Sequence, residues 1–478
     1  MPSRSIFLQI LLIGFISAFL ASSPIQIDAG RAMVEAHLAL EIAAYAPAAS
    51  SLGRVVEFYP WRSDLLLMAG KLSLEAGNPK SAIRYLNQAA QSTPLSPDSL
   101  LALGDAYLAS GNTQQALRTW QQIPDTSGYS DAILQRLLEL HRTEGSYTQV
   151  AEDLKSLLRL HPNEVGYYYQ LGLLLAVLEP DASLAYLSQV AQYDSELAVK
   201  ANDLMKRINT ARLYEEPAYT SVSTGRWMGS ADEWQLALLA FRQAVEQRPD
   251  YAEAWAYLGE ALQQTDTSKG KSDSQTGLKE LKAALEIDPG SITGLVLMSI
   301  YWQRQGEDKA ALEYLNRAAS LEPDIPILQA ELGHVTAKLG DLPAAQAYYQ
   351  NAVALASTEP VYWSLLAEFS LDKQIQVHQV ALPAARAAVL LAPQNPQYLD
   401  LLGKTLLALG DLLNAERFLR RAISLDGSYA PSHLHLGIVY INQGNNNLAQ
   451  AEFEIAQQLA PDSQIADQVD RLYSYFFP

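Results

Sequence analysis

The sequence predicts an all-α protein built as a stack of antiparallel helix pairs. Three observations carry that expectation. Ala, Leu, Gln and Tyr dominate, while Val, Ile and Thr are too thinly spread for many strands. At 478 residues the chain exceeds one ordinary globular core, so it holds either several domains or a core that grows by stacking. One set of small, aromatic and turn residues recurs every 34 residues, and this selects the stack.

The recurrence is clearest near the C-terminus. Gly437, Tyr440, Gly444, Ala449, Phe453 and Ala456 occupy slots that Gly403, Leu406, Gly410, Ala415, Leu419 and Ala422 fill 34 residues earlier, with Gly427 where Pro461 follows in the later set. Gly333, Thr336, Gly340, Ala345, Tyr349 and Ala352 form another set, as do Gly104, Tyr107, Gly111, Ala116 and Trp120. The first Gly and the first Ala of each set are small because two helices cross there and a side chain would hold the backbones apart. The second Gly, as in SGN at 110–112 and LGD at 409–411, ends a helix in the left-handed conformation. Pro then stops the second helix, as in RPD, EPD and APD.

This pattern resembles the tetratricopeptide repeat (TPR) family, with its 34-residue period, from about Ala29 to Pro461. The resemblance implies a right-handed superhelical solenoid of about twelve repeats. They start near Ala29, Ser63, Pro97, Asp131, Val165, Val199, Ala252, Ile292, Pro326, Pro360, Pro396 and Ala430. Those at 29, 131, 165 and 199 are degenerate, so 29–213 reads as a partly degenerate N-terminal block and 233–462 as a regular C-terminal block. The polar, aromatic stretch 214–232 reads as an inserted loop between the two helices of the sixth repeat. TDTSKGKSDSQT (265–276) and DKQIQVHQV (372–380) read as lengthened turns in the seventh and tenth. The segment 463–478 reads as a capping helix that buries Leu472 and Phe476, since a stacked array needs its last apolar face covered.

At the other end, Arg4 precedes an uncharged stretch that lasts from Ser5 to Ile27, with its apolar core at residues 6–21. Sixteen helical residues span about 24 Å, short of the ~30 Å hydrocarbon core, which suits a cleavable export signal. The whole uncharged stretch is long enough to span. Residues 1–28 therefore read as a signal peptide or a membrane anchor, and both readings place the repeats outside the cytoplasm, in the periplasm or its equivalent.

Composition also excludes chemistry. A net charge of −18 disfavours nucleic acid and anionic lipid surfaces as partners. The absence of cysteine excludes disulfides, thiolate metal sites and cysteine nucleophiles. No nucleophile elbow, phosphate-cradling loop, zinc-binding helix or calcium loop is present. His433 and His435 lie on opposite sides of a helix and cannot share a metal. The expectation is therefore no catalytic residue, no cofactor and no metal.

The resemblance implies that the first helices line a concave face that grips a protein or peptide, so that the chain works as a scaffold or adaptor, in envelope assembly or secretion. Binding of an extracytoplasmic glycan or polymer is the alternative. The residue following each crossing position should face the groove: Lys71, Asp105, Glu139, Leu173, Arg207, Glu260 and their counterparts up to Ile438. Of these, Glu139, Arg207 and Glu260, joined by Arg142 and Tyr169, are the candidate partner contacts. No repeat presents the Lys-and-Asn pair of TPR proteins that grip a terminal carboxylate, so the expected ligand is an internal segment or a folded surface.

Overall fold

The computed structural model describes residues 27–124, 128–193, 195–268 and 275–477, and these are helical throughout with no strand among them. The apolar segment 6–21 lies outside the described residues. Among the described residues no helix is long and apolar enough to cross a membrane.

The chain divides into two compact units, one running to residue 175 and including 181–201, the other comprising 176–180 and 202 onward. In the N-terminal unit α1 (Ile27–Glu41) pairs with α2 (Tyr45–Phe58), and α3 (Ser63–Glu75) with α4 (Pro79–Ala90). Likewise α5 (Pro97–Ala109) pairs with the short α6 (Thr113–Trp120), and α7 (Ser130–Thr143) with α8 (Tyr147–Leu160). Helices α9 (Val165–Leu178) and α10 (Pro180–Val190) follow, and α11 (Glu196–Arg212) runs across the boundary.

Among the described residues the C-terminal unit holds seven pairs and a closing helix. The pairs are α12 (Pro217–Ser230) with α13 (Trp234–Gln247), α14 (Ala252–Ser268) with α15 (Leu278–Ile287), α16 (Ile292–Arg304) with α17 (Asp308–Leu321), and α18 (Pro326–Lys338) with α19 (Leu342–Leu355). They continue as α20 (Pro360–Asp372) with a π turn (Val377–Ala381) and α21 (Leu382–Leu391), α22 (Pro396–Ala408) with α23 (Leu412–Leu425), and α24 (Ala430–Gln443) with α25 (Asn446–Leu459). Helix α26 (Gln464–Phe476) packs on the last pair.

Local chemistry sets these boundaries. Asn78, Asn112, Asp341 and Asp411 cap second helices by accepting a backbone N–H three residues on. Proline opens many first helices at a position whose N–H has no helical partner. The reversal between the helices of a pair falls on a residue with positive φ, such as Gly340 at 90° and Gly410 at 76°, where a Cβ would strain the backbone.

The crossing positions bear out their reason for being small. A Cβ placed on Gly70 would lie 2.6 Å from Leu86, and one on Gly403 would lie 2.6 Å from Leu419. The contacting residue sits 16 positions later in both cases, and the alanine 12 positions after the glycine (Ala82, Ala415) is completely buried. Helix pairs locked in this way share one apolar core from Ala337 on α18 to Val469 on α26.

Three expectations need correction. The stretch 214–232 is no loop: α12 occupies Pro217–Ser230, with Ala218, Ser221, Val222, Thr224 and Gly225 buried. Gly225 is a crossing position, because a Cβ there would lie 2.6 Å from Phe241, again 16 residues on. Small Ser, Thr and Gly residues make the contact surface, and Asp232, at φ 63°, takes the turn where a glycine usually stands. The sixth repeat is thus α12 with α13, and α11 stands outside the pair register. The second correction concerns 372–380, where Gln374 and Gln376 adopt positive φ and the π turn absorbs the extra residues directly ahead of α21. Of 265–276, residues 269–274 lie outside the described residues.

The third correction is at the cap. Helix α26 buries Ala466 and Val469 and leans Leu472 and Tyr473 on the preceding core, but Phe476 is 41% exposed. The helix ends at Phe476, and the non-helical backbone of Phe477 turns that ring back to 5.3 Å from the Tyr473 ring. Phe477 therefore takes the place expected for Phe476.

If Gly225 is a crossing residue, Gly225→Leu forces a side chain into the Phe241 ring. Overpacking of this kind costs about 1–3 kcal/mol, so the thermal or urea midpoint should fall clearly. An unchanged midpoint would return 217–230 to the status of a loop.

Candidate functional site

Within each compact unit the first helices of successive repeats lie side by side, as α3 touches α5, α14 touches α16 and α20 touches α22. This face carries polar side chains at the edge of the core, and they pair from one first helix to the next. In the N-terminal unit Lys71 pairs with Asp98, the Arg136 guanidinium forks onto Asp105 at 2.5 and 2.6 Å, and Arg142 Nη2 donates to Gln170 Oε1 at 2.6 Å.

The C-terminal unit repeats the device. Arg304 of α16 forks onto Glu260 of α14 at 2.6 and 2.7 Å and also reaches Gln263 Oε1 at 3.1 Å. Gln303 Nε2 donates to Glu331 of α18 at 3.4 Å. Lys404 of α22 pairs with Asp372 of α20 at 3.1 Å, and His435 of α24 meets Asp400 of α22 at 2.9 Å. The result is a ladder whose rungs are ion pairs and hydrogen bonds between neighbouring repeats.

The five sequence-derived contacts take different places on this surface. Glu139 and Arg142 are exposed on α7, with Arg142 engaged to Gln170, while Tyr169 is half-buried on α9. Arg207 is exposed on α11, pairs with Asp203 at 3.2 Å, and lines a polar cavity. Glu260 is only 8% exposed, and its carboxylate is taken up by Arg304. Glu139, Arg142 and Tyr169 belong to the N-terminal unit, whereas Arg207 and Glu260 belong to the C-terminal one. His433 is 5% exposed, with its ring nitrogens 2.6 Å from Glu452 and 3.2 Å from the Gly427 carbonyl.

No ion pair links α18 to α20 among the described residues, and the groups there are electrostatically unsettled. Glu368 of α20 reaches solvent and has no hydrogen bond or ion pair among the described residues. Crowding by protein, with a further push from Asp372, raises its carboxyl above the ordinary range, while Lys404 pulls the other way. Burial holds Tyr349 at about 12, with Glu331 and Glu368 adding to the shift. Burial likewise holds Tyr429 at about 12, with Asp400 and Glu368 adding. His334 of α18 is pulled below the usual imidazole value by burial and by Lys338. Sequence reasoning reached Glu368 and His334 only as counterparts in the line from Lys71 to Ile438, without singling them out. It missed Arg304, Asp372 and Asp400 because each rung spans residues whose proximity depends on the register of two separate repeats. Among the described residues no group of acidic or imidazole side chains is placed to hold a metal ion.

Family models described as tetratricopeptide repeat match residues 73–138, 230–292 and, in two consecutive copies, 396–429 and 430–463. Together with the helix-pair architecture and the 34-residue register, these matches define a repeat protein of the protein-interaction class. The chain belongs to the tetratricopeptide repeat family.

Among curated relatives, a peroxisomal targeting signal receptor of Komagataella phaffii is 38% identical over 101 residues, which is 21% of this chain and 16% of that protein. The receptor of Eremothecium gossypii is 28% identical over 214 residues, 44% of this chain and 35% of the relative. The chain therefore spans well under half the length of these relatives. Among solved structures, yeast Tom70 is 15% identical, with 94% of this chain and 95% of that one covered and a TM-score of 0.43. MamA from Desulfovibrio magneticus is 24% identical, with 36% and 97% covered and a TM-score of 0.32.

Two outcomes follow for the ladder. Glu260→Ala removes a mostly buried carboxylate together with its two-pronged, charge-assisted bond to Arg304 and should cost roughly 1–3 kcal/mol in a denaturant titration, whereas Arg207→Ala, an exposed i,i+4 pair, should cost well under about 1 kcal/mol. Equal effects would remove the distinction between a rung and a surface pair.

The second outcome concerns pH. Because the native state holds a proton on Glu368 more tightly than the unfolded chain does, its deprotonation costs stability as pH rises from the ordinary carboxylate range through the raised value. Glu368→Gln should therefore melt at or above wild type at neutral pH and lose that advantage in acid. A variant less stable than wild type at neutral pH would contradict this.

Proposed function

We propose that this chain is a non-enzymatic scaffold that is exported from the cytoplasm and holds protein partners along its first-helix face, in the service of envelope assembly or secretion. The observation that carries the binding role is the polar first-helix face. Its side chains stand in a fixed array built by the core beneath, and such a surface recognises a chain by shape and charge without needing a catalytic group. Charged rungs that are satisfied internally cost little to cover. Exposed groups without a partner, such as Glu368, supply the discrimination.

Export rests on the uncharged stretch from Ser5 to Ile27 behind Arg4. The receptors of targeting signals among the relatives are proteins that engage other proteins, which supports the scaffold reading at the level of class.

In-cell crosslinking followed by mass spectrometry should recover a protein partner joined to first helices, and protease added outside the cytoplasmic membrane should digest the repeats. Complete protection until the cells are lysed would contradict export. Crosslinks confined to second helices would contradict the placement of the binding face.

A further inference from the structure

The helix outside the pair register helps to build a site of its own. On α11, Asp203, Lys206 and Arg207 share one side, spaced three and four residues apart. On α12, Tyr219, Ser223 and Arg226 fall at successive turns of one face. These two faces converge on a polar cavity of about 310 Å3 within the C-terminal unit.

Three cationic side chains and one carboxylate line it, in a chain whose net charge is −18. The carboxylate is already engaged, since Asp203 accepts from Trp227 Nε1 at 2.8 Å and from Arg207 Nε at 3.2 Å. Arg226 lies 3.7 Å from Glu253 with its guanidinium 5.4 Å from the centre of the Tyr257 ring, an exposed pair that leaves donors free. The Lys206 ammonium has no hydrogen-bond or ion-pair partner among the described residues. The local charge thus opposes that of the rest of the molecule, and the one acid that would neutralise it serves to position Arg207 and the Trp227 indole.

We propose that this cavity binds an oxyanion side chain carried on a partner's peptide segment, with Lys206 and Arg226 as the charge donors. Ser223 and Tyr219 line the same cavity. Carboxylate and phosphate ester share the required chemistry, because both accept several charge-assisted hydrogen bonds from ammonium and guanidinium groups. The strongly negative remainder of the chain repels acidic polypeptides at long range, so binding here depends on a short, directed contact. The inference rests on the scaffold reading and names a chemistry for one part of the partner.

The test uses the full-length chain and three fluorescein-labelled, end-capped hexapeptides, of glutamate, of phosphoserine and of glutamine, followed by fluorescence anisotropy. One or both acidic probes should bind at least about tenfold more tightly than the glutamine control at low salt and release at high salt, and the tighter of the two identifies the source of the oxyanion. Lys206→Glu should abolish that preference with an unchanged thermal melt. Lys309→Glu, which makes the same charge change at an exposed position on α17, should preserve it. Equal binding of all three probes, or equal loss in both variants, would overturn the assignment. If the acidic probes fail while crosslinking still captures a partner on the first helices, the cavity assignment falls and the scaffold reading stands.

Discussion

Two helix backbones that approach too closely for a side chain impose the register on which the rest of this molecule depends. At Gly70, Gly225 and Gly403 a Cβ would meet a bulky residue 16 positions later at 2.6 Å, so each helix pair can cross in only one alignment. Fixing that alignment fixes which face of each second helix meets the next repeat, and so sets first helices side by side. One local steric requirement, repeated, becomes a continuous core such as the one from Ala337 to Val469.

The polar ladder is the second consequence. Once first helices are adjacent, their charged residues meet across the gap, and Asp105 with Arg136, Glu260 with Arg304, and Asp372 with Lys404 join neighbouring repeats. A rung such as Glu260 is mostly buried and serves the stack more than a ligand. What remains for recognition is the set of groups that the ladder does not use. Glu368, with its carboxyl raised by crowding, is one, and Lys206 on α11, the helix outside the pair register, is another. On the proposed reading, a partner is recognised where this internal pairing is incomplete.

Much of the fold was legible because the repeat writes its sterics into residue size. Repeat starts read at Ser63, Pro97, Val165, Ala252, Ile292, Pro326, Pro360, Pro396 and Ala430 coincide with the first residues of helices. The failure at 214–232 has a definite cause. Its Ser, Thr, Tyr and Gly content suggests a loop by composition, yet these small residues are what a tight crossing needs. The sequence carries the signal nonetheless, since Gly225, Ala237, Phe241, Ala244 and Pro249 stand at the same spacing as Gly437, Ala449, Phe453, Ala456 and Pro461. The candidate site was less legible. A rung joins residues up to 44 positions apart, and burial of Glu260 or exposure of Arg207 depends on which neighbour reaches it, a matter of register that no single helix encodes.

Hydrogen–deuterium exchange on the full-length chain, with and without a crosslink-identified partner, is the most direct test that the first-helix face is the binding face. Partner binding should slow exchange in first helices such as α14, α16, α18 and α20 and leave their second helices unchanged. Protection confined to second helices, or spread evenly over both, would contradict it.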